Sequence, residues 1–120
     1  MPAPSPLTIA TQSVQRLVKE DGYYRKELSQ QSERVKKLEA DLGTTSEPAD
    51  GNASFMLKQE QKAIEETRAV FAPLHERIAE AVQRLEEQIA TAESEGAAAD
   101  EIAKAKEALK LGRDLEPSVA

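Results

Sequence analysis

His75 is the single histidine of the chain, and there is no cysteine, so few side chains are available for nucleophilic or acid–base catalysis. A metal cluster or a catalytic triad needs several such groups, whereas His75 stands alone within a helical pattern. We therefore interpret His75 as a packing or surface residue. The carboxylate pairs Glu65-Glu66 and Glu86-Glu87 each diverge by about 100° around a helix, which is unsuitable for acid–base work at one shared site.

Sequence motifs that bind phosphates or metal ions do not occur either. The chain contains neither the phosphate-binding pattern G-x-x-x-x-G-K-[ST] nor the dinucleotide pattern G-x-G-x-x-G. The oxygen-bearing residues Glu47, Asp50 and Asn52 are too few and too irregularly spaced for a calcium loop. We predict from these observations that the protein is not an enzyme, has no metal site and binds no cofactor.

A long amphipathic helix is indicated by apolar residues that recur at steps of three, four or seven in the first third of the chain. These residues are Val14, Leu17, Tyr24, Leu28, Val35, Leu38 and Leu42. Asp21 and Gln31 occupy the skipped steps of this stripe. We predict a first helix over residues 8–42, capped by Thr8, in which both polar residues are either register-setting layers of the helix seam or seam residues that reach solvent.

The same periodicity predicts a second helix over residues 53–94. Its apolar stripe consists of Leu57, Ile64, Phe71, Leu74, Ile78, Val82, Leu85 and Ile89. Pro73 removes one backbone hydrogen bond inside this pattern, yet the stripe continues in phase on both sides. We therefore predict a single helix that is kinked at Pro73, and not two helices.

A third, shorter helix is predicted over residues 97–112. Gly96 is a suitable residue to end the second helix, and Gly112 is a suitable C-cap for the third. The residues expected to face the core are Ile102, Ala105 and Leu109. The third helix is therefore the most weakly held of the three.

The segments between these helices are rich in proline, glycine and turn-forming residues. We predict a flexible N-terminus over residues 1–7, a loop over residues 43–52 and a frayed tail over residues 113–120. Two long helices joined by a loop of about ten residues run antiparallel, and the short third helix returns along them. The predicted fold is a single all-α domain, an elongated antiparallel three-helix bundle with up-down-up topology.

Composition limits the classes of partner. The 120 residues include 16 basic and 22 acidic side chains, for a net charge of −6, and only 3% are aromatic. Residues 7–42 carry seven basic and six acidic side chains, whereas residues 53–95 carry five basic and nine acidic ones, so the first two helices attract each other. We predict no nucleic-acid partner, because there is no net-basic surface or aromatic platform, and no membrane partner. The absence of cysteine and of a signal-like N-terminus favours a cytoplasmic protein.

Two segments carry a pattern more specific than apolar periodicity. In the first predicted helix, the run Val-Gln-Arg-Leu-Val-Lys-Glu at residues 14–20 is followed by Tyr24, Glu27 and the pair Gln30-Gln31. In the second, the run Ala-Ile-Glu-Glu-Thr-Arg at residues 63–68 is followed by Pro73 and the pair Arg77-Ile78. In order and spacing, these segments resemble the tubulin-binding cofactor A family, and the likeness spans about residues 9–92.

The resemblance implies a cytoplasmic, cytoskeleton-associated chaperone that binds β-tubulin folding intermediates and passes them on toward assembly of the αβ heterodimer. It implies β-tubulin as the partner and leaves other tubulin-folding proteins, the tubulin-folding cofactors, open as further partners. It also implies that the protein needs no bound cofactor such as a nucleotide or a metal ion. The protein itself is expected to be a monomer or a homodimer. The alternative is a structural coiled-coil module for oligomerisation, because a stripe that packs within one chain can equally pack between two.

Candidate tubulin contacts are charged or aromatic residues that lie outside the apolar stripes, within or near the two recognisable segments. On the first helix they are Arg16, Lys19, Tyr23, Lys26 and Lys37. On the second helix they are Glu65, Arg68, Glu76 and Arg77. Arginine and tyrosine are common anchors of protein interfaces, and a positive face suits an acidic partner.

Overall fold

Three helices account for nearly all of the part of the chain that the computed structural model describes, residues 3–44 and 52–115. Helix α1 spans Pro6–Thr44, α2 spans Asn52–Glu95 and α3 spans Ala99–Arg113. The molecule measures 71 × 29 × 18 Å along its principal axes, so it is a rod. The predicted all-α, elongated three-helix bundle is confirmed.

Helix α1 begins two residues earlier than predicted, because Ser5 and not Thr8 caps it. The backbone N–H of Thr8 donates to the Ser5 side-chain oxygen at 3.1 Å, and Pro6 occupies the first helical position, where its missing N–H costs nothing. Leu7, expected in a flexible terminus, is buried in the core. At the other end, the helix includes Gly43 and Thr44, which were expected in the loop, and Asn52, the last residue of the predicted loop, is instead the first residue of α2. Residues 45–51 of the predicted loop lie outside the described residues.

Ion pairs between helices define the topology. Arg34 of α1 lies 3.3 Å from Glu60 of α2, while Asp21 contacts His75, so sequence numbers rise on one helix as they fall on the other. The α2–α3 pairs, Glu93 with Lys106 at 2.9 Å and Glu86 with Arg113 at 3.1 Å, reverse direction in the same way. The helices therefore run up, down and up, as predicted.

The main hydrophobic core occupies one end of the rod, because α3 is much shorter than its neighbours. The core cluster joins residues 7–17 of α1, residues 74–92 of α2 and residues 105–109 of α3. Beyond it, Leu28, Val35 and Leu38 of α1 are only half-buried. The far half of the rod is therefore a two-helix pair that buries less of each stripe.

Helix α2 passes through Pro73 without interruption, as the in-phase stripe predicted; the kink itself stays a prediction. Its C-terminus at Gly96 is also as predicted. Gly96 has a φ of +71°, and its N–H donates to the Glu93 carbonyl, while the Ala97 N–H donates to the Ala92 carbonyl at 2.9 Å. These two bonds form a Schellman motif, in which glycine is favoured because it has no Cβ to strain.

Gly112 is not the C-cap of α3, contrary to the prediction. The helix continues through it to Arg113, and the cap residue is Asp114. Gly112 is buried where α3 crosses the other two helices: a Cβ atom there would lie 2.7 Å from Val82 Cγ2 and 3.1 Å from Val14 Cγ1. The missing side chain therefore permits close approach of α3. Beyond Arg113, Leu115 is half-buried against the core, and the rest of the predicted tail, 116–120, lies outside the described residues.

We expect Gly112→Ala to lower the free energy of unfolding by about 1–2 kcal/mol, because overpacking outweighs the better helix propensity of alanine. Thermal or urea unfolding measures this change. Gly22→Ala is the matched control, since Gly22 is also inside a helix but has open space around it; this change should stabilise by up to about 1 kcal/mol. Equal stabilisation by both substitutions would contradict the packing role of Gly112.

Candidate functional site

A buried ionic cluster joins α1 to α2 near the middle of the rod. Asp21 is fully buried, and its Oδ2 lies 2.6 Å from Nε2 of His75. Its Oδ1 accepts a hydrogen bond from Nε of Arg25, one turn further along α1. The His75 side chain is 12% exposed and that of Arg25 is 35% exposed. A carboxylate removed from water in this way is stable only with such partners.

Aromatic rings extend this cluster toward the surface. Tyr23 contacts Tyr24 with ring centroids 5.4 Å apart, Tyr24 contacts Phe71 at 6.4 Å, and Phe71 contacts His75 at 5.8 Å. All three contacts are edge-to-face, the geometry that aromatic pairs prefer. The Arg25 guanidinium lies 5.8 Å from the centroid of Phe71, within cation–π range. The rings form a continuous row of contacts from exposed Tyr23 to His75 in the helix seam.

The chemistry of the cluster is better suited to holding α1 against α2 than to catalysis. A histidine–aspartate pair can orient an imidazole for proton transfer, but catalysis also needs a reacting group within reach. The open groove beside His75 has a volume of about 270 Å³ and is lined mainly by aliphatic side chains, together with Arg113. The contact of Asp21 with His75 joins α1 to α2, whereas the contact with Arg25 is within α1 and holds the carboxylate in place. Sequence reasoning placed Asp21 in the seam correctly but did not find its partners, although the four-residue spacing to Arg25 was a usable signal.

Gln31, the second predicted polar layer, is also in the seam, where it is 5% exposed. Its Oε1 is buried and has no hydrogen-bond partner among the described residues. A buried acceptor without a partner costs free energy, so Gln31 lowers the stability of the seam.

We expect Gln31→Leu to raise the free energy of unfolding by about 1 kcal/mol, because it removes an unsatisfied buried acceptor and extends the apolar seam. Urea unfolding measures this gain. Gln30→Leu is the control, since Gln30 is exposed and should change stability little. A loss of stability in Gln31→Leu would mean that Oε1 has a partner in solution.

The five α1 candidates lie on one outward face. All are exposed: Arg16, Lys19, Tyr23, Lys26 and Lys37. Steps of three and four place the first four next to one another over successive turns, and Lys37 is fourteen residues beyond Tyr23, in the same row. Tyr23 is the most exposed large hydrophobic residue of the described part of the chain, at 64%. The structure therefore brings these candidates together.

The four α2 candidates do not form one face, although all are exposed. Glu65 and Arg68 are three residues apart and lie side by side. Arg77 is nine residues beyond Arg68, which rotates it by about 180° around the helix, and Glu76 is turned by about 100° from Arg77. Glu76 is eleven residues beyond Glu65 and is turned by only about 20° from it, so Glu65, Arg68 and Glu76 share one side of α2 and only Arg77 lies on the other.

Ion pairing separates the candidate cations from other surface cations. Arg34, Lys106 and Arg113 each pair with a glutamate on a neighbouring helix. The candidate cations Arg16, Lys19, Lys26, Lys37, Arg68 and Arg77 make no ion pair with any described residue. Their charge is therefore available to a partner.

Residues 3–44 and 52–115 contain neither a metal-ligand cluster nor a membrane-spanning helix. No group of three or more histidine, cysteine, aspartate or glutamate side chains is arranged to hold a metal ion there. No helix in the same ranges has the length and apolarity needed to cross a membrane.

Fold and surface together define an elongated all-α bundle with open grooves and a long charged face. A family model described as tubulin binding cofactor A matches residues 2–109, and the chain belongs to that family. The match extends past the predicted span of 9–92 to include most of α3. The chain is 29% identical over 113 residues to a Saccharomyces cerevisiae protein named tubulin-specific chaperone A, covering 94% of this chain and 95% of the yeast protein. Comparison with solved structures gave no significant match.

Proposed function

We propose that this protein is a tubulin-specific chaperone that binds β-tubulin folding intermediates and passes them on toward assembly of the αβ heterodimer. The observation that supports the proposal is family membership over residues 2–109, together with the name of the yeast relative, which aligns over nearly its whole length. On this proposal the protein is cytosolic and acts beside the cytoskeleton, without catalysis. Other tubulin-folding cofactors are candidate further partners.

The outward face of α1 is the proposed contact for β-tubulin. Arg16, Lys19 and Lys26 carry positive charge that no described carboxylate neutralises, and Tyr23 adds an exposed ring among them. Such a face steers an acidic partner electrostatically and anchors it through arginine and tyrosine. Because the charges are exposed, binding is reversible and weakens with salt, as release to a later step of assembly requires.

A pull-down with the purified chain tests this function. Urea-dissociated tubulin is offered without nucleotide, and retained α- and β-tubulin are compared on the same gel. Preferential retention of β-tubulin supports the proposal. Retention of neither subunit, or of both equally, would overturn the β-specific chaperone function.

Self-association is the second candidate. The two long stripes pair within the chain, which satisfies the apolar faces that a coiled-coil oligomer would otherwise bury. At the two-helix end, however, Phe55 and Met56 are 60% and 46% exposed, so that end offers apolar surface to a second copy. Solution mass by light scattering separates a monomer from a homodimer.

A further inference from the structure

A groove between α1 and α2 at the end of the rod that contains the core combines two arginines from different helices. Arg16 of α1 and Arg84 of α2 both line it, together with the side chains of Gln12, Ser13 and Gln88. Ile9, which is 56% exposed, lies along the same groove. The volume is about 440 Å³ and the groove is open along its length.

The charge of this groove contrasts with that of the protein. The chain has a net charge of −6, yet no aspartate or glutamate lines the groove. Neither Arg16 nor Arg84 makes an ion pair with any described residue. Two guanidinium groups without carboxylate partners therefore face one cleft.

We propose that this groove binds an extended acidic peptide segment of a partner protein, with carboxylates on Arg16 and Arg84 and an aliphatic or aromatic side chain against Ile9. Arginine recognises carboxylates through paired hydrogen bonds, and two arginines across a cleft select two acidic residues. The amides of Gln12 and Gln88 can both donate to and accept from a peptide backbone. A nucleic acid fits less well, because no aromatic side chain lines the groove for base stacking.

This inference does not depend on tubulin as the partner. The groove shares Arg16 with the outward face of α1 that the proposed function uses, whereas Arg84 and Gln88 of α2 belong to the groove alone. Failure of the β-tubulin pull-down would not argue against peptide binding in the groove, and failure of peptide binding would not argue against the chaperone function.

The test is a titration of the full chain with a fluorescein-labelled peptide in which Glu-Glu pairs flank a leucine, followed by fluorescence anisotropy at low salt. Its control peptide replaces every glutamate with lysine. In the double variant Arg16→Glu/Arg84→Glu, we expect affinity for the acidic peptide to fall by about tenfold to a hundredfold, because two charge-assisted contacts are lost. The matched control is Lys58→Glu/Lys62→Glu, which changes net charge equally on exposed residues at the other end of the rod and should retain nearly full affinity.

Amide chemical shifts provide a second readout that does not depend on variants. Addition of the acidic peptide to the wild-type chain should shift the Ser13 and Gln88 resonances, and leave those of Lys58 and Lys62 unchanged. The inference is overturned if the wild type does not bind the acidic peptide, if it binds the lysine peptide equally, or if the two double variants lose affinity to the same extent. Tighter binding of a single-stranded oligonucleotide through the same arginines would also overturn it.

Discussion

Replacing Asp21 with alanine is expected to lower the free energy of unfolding by about 2–4 kcal/mol, the largest effect of any single polar substitution considered. The loss arises because His75, which is mostly buried, loses the charged acceptor 2.6 Å away, and because a small cavity remains in the seam. Arg25 contributes less, since its side chain is one-third exposed and can turn toward water. Urea unfolding monitored by circular dichroism measures the change.

A double-mutant cycle separates pairing from burial. His75→Ala should also destabilise, because it leaves the Asp21 carboxylate buried with fewer partners, and the double variant Asp21→Ala/His75→Ala should cost about 1–3 kcal/mol less than the sum of the single changes. Asp21→Asn keeps the volume and removes the charge, so it distinguishes electrostatics from the cavity. Additive effects of Asp21→Ala and His75→Ala would show that the two residues do not act as a pair.

Reversing three charges on the outward face of α1 is expected to weaken β-tubulin binding by at least about a hundredfold, because long-range steering and direct contacts are lost together. The variant is Arg16→Glu/Lys19→Glu/Lys26→Glu. Its thermal stability should stay close to that of the wild type, because none of the three residues is buried or ion-paired within the described chain.

The control for this variant changes net charge equally at positions outside the outward face of α1. Lys58→Glu/Lys62→Glu/Lys110→Glu reverses three exposed cations on α2 and α3, and it should bind β-tubulin within a few-fold of the wild type. Affinity is measured by titration at two salt concentrations, since steering by exposed charges weakens as salt screens them. Equal losses in the two triple variants would assign the effect to net charge and not to the α1 face.

Sequence periodicity was sufficient to predict the helices, because a stripe at steps of three and four over about forty residues is typical of an amphipathic helix. The up-down-up topology followed from the short connections between the helices. The continuity of α2 through Pro73 followed from the same stripe, and the end of α2 followed from Gly96. The outward position of Arg16 and Lys19 was equally predictable, since residues off the stripe of a long helix face solvent.

Features that depend on helix register were not predictable in this way. Asp21 and His75 are 54 residues apart, and nothing in either helix alone shows that the two meet. Gly112 follows a helical stretch as a C-cap would, and only the approach of Val14 and Val82 reveals its packing role. The separation of Arg77 from the other α2 candidates, by contrast, follows from helical geometry alone, since nine residues rotate it by about 180° from Arg68.

Site-specific photocrosslinking tests most directly whether the outward face of α1 contacts β-tubulin. The photoreactive residue p-benzoylphenylalanine replaces Tyr23 in one sample and Phe55 in another, two aromatic positions of nearly equal exposure, 64% and 60%, on different parts of the rod. After irradiation with dissociated tubulin, we expect a crosslink to β-tubulin from position 23 and little or none from position 55. A crosslink from position 55 alone, a crosslink to α-tubulin only, or none from either position would contradict the account.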